Sequence, residues 1–165
     1  LLEPTYDNEA GLVDAVHYAA GSKWELLCML GGGSLNPPTH ETVDKKMHVL
    51  QQEGRAVYRY AVTAMADACE EIMKRNGLTG DDVRFLVPHQ ANKRSIDAAA
   101  QRMGLTDNKV MMNIDRYGNT TAATIPLCLH DWEGELRRGD NLVLATFGGG
   151  FTWGASYLKW AYDSE

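Results

Sequence analysis

Two loops of the 165-residue chain carry side chains that could stabilise negative charge on an oxygen atom. In the first, residues 87–92, His89 lies between a short apolar run and a predicted helix. The N–H groups and the positive end of that helix disfavour imidazolium, so we expect neutral His89 to donate one N–H to an oxygen that becomes negative. A role confined to capping the helix or filling the loop is the alternative.

The second loop, residues 115–121, places Asn119 directly after Gly118. A neutral amide can polarise a carbonyl group without giving up a full proton. His89 and Asn119 together could supply two fixed donors to one developing oxyanion. Gly-Asn followed by threonines is also an ordinary turn and helix cap, so this motif alone decides little.

A third loop, residues 147–154, contains Phe147 followed by Gly148, Gly149 and Gly150. Consecutive glycines are costly to order and occur where backbone passes close to another backbone or where its N–H groups face a ligand. The spacing fits neither a P-loop nor a dinucleotide fingerprint. A tight connection between two antiparallel strands explains the glycines equally well.

Hydrophobic periodicity predicts the elements that position these loops. Period 3.6 from Gln51 to Gly77 predicts the longest helix, and Asn92 and Gly104 are expected to cap a second helix. Strands are expected at 12–18, 24–30, 83–87, 110–114, 141–147 and 151–161, with a third helix at 121–136. This order predicts an α/β fold with a mixed, mostly parallel sheet, whose strand ends would gather the three loops.

Composition and net charge exclude several classes of function. Hydrophobic residues make up 44% of the chain and charged residues 23%, which suits a folded domain, and the formal net charge of -6 argues against nucleic acid or an anionic membrane surface as partner. No apolar run is long enough to cross a membrane. Cys28, Cys69 and Cys128 form no CxxC pair, which predicts a reducing, cytoplasmic location and no metal site.

The three loops, in this order and separation, resemble the C-terminal half of 3-oxoacyl-[acyl-carrier-protein] synthase III, and the likeness extends to residues 54–58 and to the end of the chain. The resemblance implies a thiolase-like fold of αβαβα layers. It also implies a Cys-His-Asn site for decarboxylative Claisen condensation of an acyl-coenzyme A primer with malonyl-acyl carrier protein, the step that initiates fatty-acid synthesis.

Site roles follow from the resemblance residue by residue. His89 and Asn119 correspond to the catalytic histidine and asparagine, and Phe147 to the aromatic residue that disfavours the malonyl carboxylate. Gly149, with Gly148 beside it, corresponds to the backbone donor for the acyl-cysteine oxyanion. The implied carrier-protein contacts are Gln90, Ala91, Asn92, Lys93 and Arg94. The thioesters of coenzyme A and of the carrier protein are substrates, so no resident cofactor is expected.

The resemblance also implies a missing part, because the family's nucleophilic cysteine lies in an N-terminal half. None of the three cysteines here begins a predicted helix, so we expect this chain alone to be inactive. Residues 1–35 are expected to be the last strands of that half, 36–45 a linker and 46–165 the C-terminal half. Its own N-terminal half, acyl-CoA, acyl carrier protein and a second copy in a homodimer are the expected partners.

Two other functions stay open. One is a thiolase-fold acyltransferase or a condensing enzyme of secondary metabolism, and the other is a non-catalytic thiolase-fold scaffold subunit. The intact His89 and Asn119 motifs favour condensation over simple acyl transfer. An upstream cysteine in an Ala-Cys-Ala or Ala-Cys-Ser context would favour an enzyme over a scaffold.

Overall fold

The computed structural model describes residues 4–7 and 9–163. The strands and helices are, in chain order, β1 (Gly11–Ala19), β2 (Leu27–Cys28), α1 (His40–Asp44), β3 (Gln51–Gln52), α2 (Gly54–Arg75), β4 (Val83–Pro88), α3 (Lys93–Arg102), α4 (Ile114–Tyr117), α5 (Thr124–Trp132), β5 (Asn141–Gly148) and β6 (Thr152–Lys159). Short 3₁₀ turns lie at Gly21–Leu26, Asp107–Lys109, Thr121–Ala123 and Glu133–Glu135. The α/β class predicted from periodicity is confirmed.

The main sheet has four strands in the order β1-β6-β5-β4. β4 pairs with β5 in parallel, whereas β6 is antiparallel to both β5 and β1. Three strands therefore run in one direction and only β6 runs against them, which confirms a mixed sheet with most strands aligned.

β1 belongs to the same sheet as the candidate site, because it pairs with β6 from Gly11 to Ala19. The assignment of residues 1–35 to the last strands of an N-terminal half stays a prediction, and within this chain that segment supplies the edge strand of the sheet. The approach of the two strands is close: a Cβ atom at Gly154 would lie 2.4 Å from the carbonyl oxygen of Val16. Glycine is required there because any side chain would collide with the β1 backbone.

Helices cover the sheet on both faces. The buried stripe of α2, Val57, Ala61, Met65, Ala68 and Ile72, follows the predicted 3.6 period and joins one hydrophobic cluster with Val143, Ala155 and Tyr157. Cys128 of α5 joins a second cluster with Phe85, Val87 and Leu142. β4 contributes to both clusters, and apart from the exposed Arg84 its residues are buried, as predicted for a strand covered on two faces.

Two predicted strands are wrong. Residues 24–30 form the end of a 3₁₀ turn and then only β2, which pairs with the equally short β3. Residues 110–114 make one parallel bridge, between Val110 and Leu86, before α4 begins. The reason is a contact with a distant residue, because the backbone N–H groups of Asn113 and Ile114 donate to the Gln90 side chain instead of to a neighbouring strand.

The predicted linker at 36–45 contains α1, which Thr39 and Thr42 cap reciprocally. This part of the segment is therefore an ordered element, and its role as a linker between two halves stays a prediction. Within the described residues, no helix is both long and apolar enough to cross a membrane.

Candidate active site

A cavity of about 560 Å³ opens at the carboxyl edge of the parallel pair β4–β5. All three loops reach it, so the sequence-predicted residues His89, Asn119, Phe147, Gly148 and Gly149 line one space. The N-terminal turns of α2 and α3 form much of the remaining wall, with Val57, Tyr58, Ala61, Met65, Asn92 and Ser95. Parallel strands explain this gathering, because they end at the same side of a sheet.

His89 follows β4 directly and is held by its backbone and its ring. Its backbone N–H donates to the carbonyl oxygen of Ala145 at 2.7 Å, which continues the pairing of β4 with β5. Its Nδ1 atom lies 2.7 Å from Thr124 Oγ1. Burial lowers the pKa of His89 from its ordinary value, so the neutral imidazole is favoured, as expected. Desolvation is the cause, whereas the sequence argument relied on the helix dipole.

Asn119 is oriented by the backbone two residues later. Its Oδ1 atom accepts a hydrogen bond from the Thr121 N–H at 2.9 Å, so the amide NH₂ is left as the group that can donate to a ligand. Gly118, with φ of 64°, provides the turn that precedes it. Thr121 also has a positive φ, 55°, which is rare for a β-branched residue and marks this turn as strained.

The glycine loop closes the cavity beside His89. Gly148 is the last residue of β5, and Gly149 passes Leu27, whose carbonyl oxygen would lie 3.6 Å from a Cβ atom at that position. The Phe147 ring packs on Phe151 and Trp153, with centroid distances of 4.9 and 6.5 Å. An apolar wall and an adjacent stretch of side-chain-free backbone therefore face the same space as the two polar side chains.

Gln90 is completely buried, with an exposed fraction of 0%. Its Nε2 atom donates to the carbonyl oxygens of Pro88 at 2.9 Å and Met111 at 3.1 Å, and its Oε1 atom accepts from the N–H groups of Asn113 and Ile114. The Gln90 side chain is therefore engaged inside the protein, and a contact between residue 90 and a carrier protein stays a prediction. The side chain joins the histidine loop to the segment that leads to Asn119.

Asp131 of α5 holds that segment from the other side. Its carboxylate accepts hydrogen bonds from Asn113 at 2.7 Å and Tyr117 at 3.2 Å, and it pairs with Arg116. The Asn113 amide, with Arg116 adding to its effect, lowers the pKa of Asp131. The carboxylate thus stays charged and anchors α4, which ends at the glycine before Asn119.

The remaining predicted docking residues lie at the start of α3. Ala91, Asn92, Lys93 and Arg94 are exposed, and the Asn92 side chain caps the helix by accepting from the Arg94 N–H, which confirms the predicted cap. Lys93 pairs with Asp97 at 2.8 Å. Arg94 forms no ion pair with any residue that the structure describes, so it is the freer of the two cations.

Within the described part of the chain, no cysteine lines the cavity. Burial raises the pKa of both Cys69 and Cys128 to about 12, so these two thiols are not nucleophiles at neutral pH. Cys28 lies partly exposed in β2. Among residues 4–7 and 9–163, no group of three or more histidine, cysteine or acidic side chains could hold a metal ion.

Thr124 and the linking role of Gln90 were not predicted. Thr124 is 35 positions from His89, and only the fold brings them together. Gln90 offered a weak signal, as a polar residue directly after a buried strand.

The family profile and the most similar curated proteins all point to the same protein family. The profile described as "3-Oxoacyl-[acyl-carrier-protein (ACP)] synthase III C terminal" matches residues 73–160. The chain is 55% identical over all 165 residues to a β-ketoacyl-[acyl-carrier-protein] synthase III of Porphyromonas gingivalis, and the match covers 49% of that protein. It is 56% identical over 163 residues, 97% of the chain, to a β-ketoacyl-[acyl-carrier-protein] synthase III of Chlorobium chlorochromatii, and that match covers 50% of the relative.

The solved structure of 3-oxoacyl-(acyl carrier protein) synthase III from Pseudomonas aeruginosa superposes with a TM-score of 0.82 at 33% identity. That alignment covers 99% of this chain and 48% of the solved one. The chain thus spans about half the length of the curated relatives and of the solved structure, and its fold is thiolase-like.

The buried Gln90 network yields a stability prediction. Gln90→Glu should lower the free energy of unfolding by about 3 kcal/mol at neutral pH, because a carboxylate cannot donate to the carbonyl oxygens of Pro88 and Met111. These surroundings raise the pKa of the new carboxyl group in the folded state. The loss should therefore shrink as pH falls and that group becomes protonated. Denaturant unfolding at several pH values measures it.

The matched control is Gln101→Glu, which makes the same change at an exposed position of α3 and should alter stability by less than about 0.5 kcal/mol. Equal stability of the two variants at neutral pH would contradict the role assigned to Gln90.

Proposed function

Because the chain belongs to the 3-oxoacyl-[acyl-carrier-protein] synthase III family and matches its C-terminal half, we propose that it supplies the decarboxylating side of a β-ketoacyl synthase active site. The observation that carries the proposal is the shared cavity, into which His89 and Asn119 project from separately anchored loops. The enzyme would condense an acyl-coenzyme A primer with malonyl-acyl carrier protein and so initiate fatty-acid synthesis.

In the proposed reaction, His89 and the Asn119 amide both donate hydrogen bonds to the thioester carbonyl oxygen of the malonyl group. The bond between the α-carbon and the carboxylate breaks, carbon dioxide leaves, and the electron pair is delocalised onto that oxygen as an enolate. The α-carbon then attacks the acyl thioester on a cysteine, and the cysteine leaves as thiolate when the new carbon–carbon bond is complete. No group in this sequence of steps requires a resident cofactor.

Phe147 and the glycine loop would act at two different steps, the loss of the malonyl carboxylate and the attack on the acyl-cysteine. Phe147 presents apolar surface beside His89, which disfavours a solvated malonyl carboxylate and favours the loss of its charge as neutral carbon dioxide. The backbone N–H of Gly149, with that of Gly148 beside it, would donate to the oxyanion formed when the acyl-cysteine is attacked.

Carrier-protein docking is proposed for the exposed start of α3. Acyl carrier proteins are acidic and this chain is acidic overall, so a local cationic patch is needed to offset the repulsion. Arg94 would carry most of that attraction, since Lys93 is paired with Asp97. Arg59, exposed in the first turns of α2 next to the cavity wall, is a second candidate that the sequence did not suggest.

The nucleophilic cysteine would come from an N-terminal half that packs against this chain. Exposed apolar side chains lie on the edge strand β1, where Leu12 is 68% and Val13 51% exposed. Such an edge is suited to contact with another part of the protein. A homodimer of the whole enzyme and a cytoplasmic location remain parts of the same proposal.

The proposal predicts that the purified chain alone does not condense acetyl-coenzyme A with malonyl-carrier protein, because it holds only two of the three catalytic side chains. Supplying the upstream half with its cysteine should restore condensation. Product formation can be measured with radiolabelled primer, with carrier protein alone as the blank. Condensation by the chain without that half would show that it contains a nucleophile of its own.

An acyltransferase or secondary-metabolite condensing enzyme, and a scaffold subunit, are the alternatives. A scaffold has no need for hydrogen bonds that orient the side chains of His89 and Asn119 toward an open cavity. An acyltransferase needs a nucleophile but no enolate stabilisation. The effect of each side chain on malonyl decarboxylation therefore separates the three.

Within the complete enzyme, His89→Ala and Asn119→Ala should each lower malonyl-carrier-protein decarboxylation by about 100- to 1,000-fold, because each removes one oxyanion donor. Acylation of the cysteine by acyl-coenzyme A should continue. Carbon dioxide release and acyl transfer can be followed separately. His40→Ala and Asn108→Ala, at exposed positions outside the cavity, are the matched controls. Decarboxylation at the parent rate in either site variant would refute the assigned roles.

The pH dependence of decarboxylation should follow the ionisation of His89. Its pKa is lowered by burial, so the neutral donor persists as pH falls, and the acid limb should lie below the ordinary histidine pKa. The rate of carbon dioxide release from saturating malonyl-carrier protein, measured against pH, tests this. An acid limb at or above the ordinary value would mean that imidazole ionisation at His89 does not control the rate.

A further inference from the structure

Thr124, the first residue of α5, lies directly behind the imidazole of His89. Its side chain is buried, with an exposed fraction of 2%. The hydroxyl oxygen lies 2.7 Å from His89 Nδ1 and 3.0 Å from the carbonyl oxygen of Thr121. The hydroxyl thus lies within hydrogen-bond distance of two polar atoms, one on the histidine loop and one on the turn that bears Asn119.

A hydroxyl group has one proton, so it can donate to only one of these two atoms at a time. If it donates to Thr121, Nδ1 must carry a proton and donate to Thr124, and the neutral ring then has a bare Nε2. If it donates to Nδ1, the ring proton lies on Nε2. The direction of this one hydroxyl decides which ring nitrogen can donate toward a ligand.

We propose that Thr124 is a positioning residue that holds His89 in the tautomer with its proton on Nε2. Because Nδ1 is occupied by Thr124, Nε2 is the nitrogen left for the cavity, and a donor to the thioester oxygen must carry its proton there. This inference rests on the function proposed above, for which a bare Nε2 would repel the developing enolate oxygen.

The carbonyl of Thr121 does not oppose this arrangement. It also accepts a hydrogen bond from the backbone N–H of Thr124, so it keeps a partner when the hydroxyl turns to His89. Rotation of the hydroxyl toward His89 therefore leaves the Thr121 carbonyl with a hydrogen-bond partner. The free-energy cost of an unsatisfied polar group does not arise. The shorter distance, to Nδ1, agrees with the hydroxyl pointing at the ring.

A neutral partner also suits the charge state of the ring. A carboxylate in place of Thr124 would accept from Nδ1–H, raise the pKa of His89 and leave Nε2 bare in the neutral ring. A threonine hydroxyl carries no charge, so the tautomer is set while the imidazole stays neutral.

The first test is spectroscopic and needs no turnover. The complete enzyme is labelled with ¹⁵N-histidine, and the His89 signals are assigned by their absence in His89→Gln, since the chain has five histidines. In the parent and in Thr124→Ser, we expect an unprotonated Nδ1 and a protonated Nε2. In Thr124→Val, which replaces the hydroxyl with a methyl group, we expect a tautomer mixture. A protonated Nδ1 in the parent enzyme, or an unchanged tautomer in Thr124→Val, would overturn the proposal.

The second test is kinetic. Thr124→Val should lower kcat for malonyl-carrier-protein decarboxylation by about 10- to 100-fold with KM nearly unchanged, while Thr124→Ser restores most of the rate. Thr63→Val, the same change at an exposed position of α2, is the control and should match the parent. A loss that Thr124→Ser does not recover would indicate a packing role and overturn the proposal.

The two tests separate this inference from the proposed function. If the parent enzyme failed to decarboxylate malonyl-carrier protein, the function would be wrong, and the nitrogen spectra of the parent and Thr124→Ser would still decide the tautomer. If Thr124→Val failed to fold, the nitrogen spectra of the parent and Thr124→Ser, together with the decarboxylation rate of Thr124→Ser, would still test the proposal.

Discussion

The parallel pairing of β4 with β5 is the constraint on which the site depends. The two strands end at the same edge of the sheet, and the hydrogen bond from the His89 N–H to Ala145 extends their pairing into the loop. The position of His89 relative to the Phe147–Gly149 turn is therefore set by main-chain geometry. Side-chain contacts then need only to orient the imidazole ring.

Buried polar groups perform a second task, which is to fix the asparagine loop against this edge. Gln90 binds the segment before α4 from the β4 side, and Asp131 binds it from α5. Such cross-links are effective where water is excluded, because breaking one leaves a buried donor or acceptor without a partner. Both loops are thus anchored to the sheet and to each other before any substrate arrives.

The sequence predicts those parts of the fold that depend on local pattern. The 3.6 period of α2, the Asn92 cap and the buried run of β4 are all present where expected. The loops of His89, Asn119 and the glycines meet because strand direction, which periodicity and order imply, brings them to one edge.

What the sequence could not predict depends on contacts between distant residues. Strand 110–114 fails to form because a glutamine side chain takes its N–H groups, and no local pattern reveals that competition. The pairing of β1 with β6 joins residues about 140 positions apart, which no local pattern reveals. Thr124 reads as an ordinary helix-start residue until the fold places His89 beside it.

The left-handed turn at Thr121 has a further consequence. A β-branched residue at φ of 55° carries strain on the order of 1–3 kcal/mol. The N–H of Thr121 orients Asn119, and its carbonyl accepts the backbone N–H of Thr124. Both donors proposed for catalysis are therefore linked to a single residue, Thr121, whose backbone is already distorted when the chain folds. In the proposed reaction, the reorganisation energy that a flexible loop would add to the activation barrier would be met during folding instead, which would couple catalytic rate to native-state stability through this single residue.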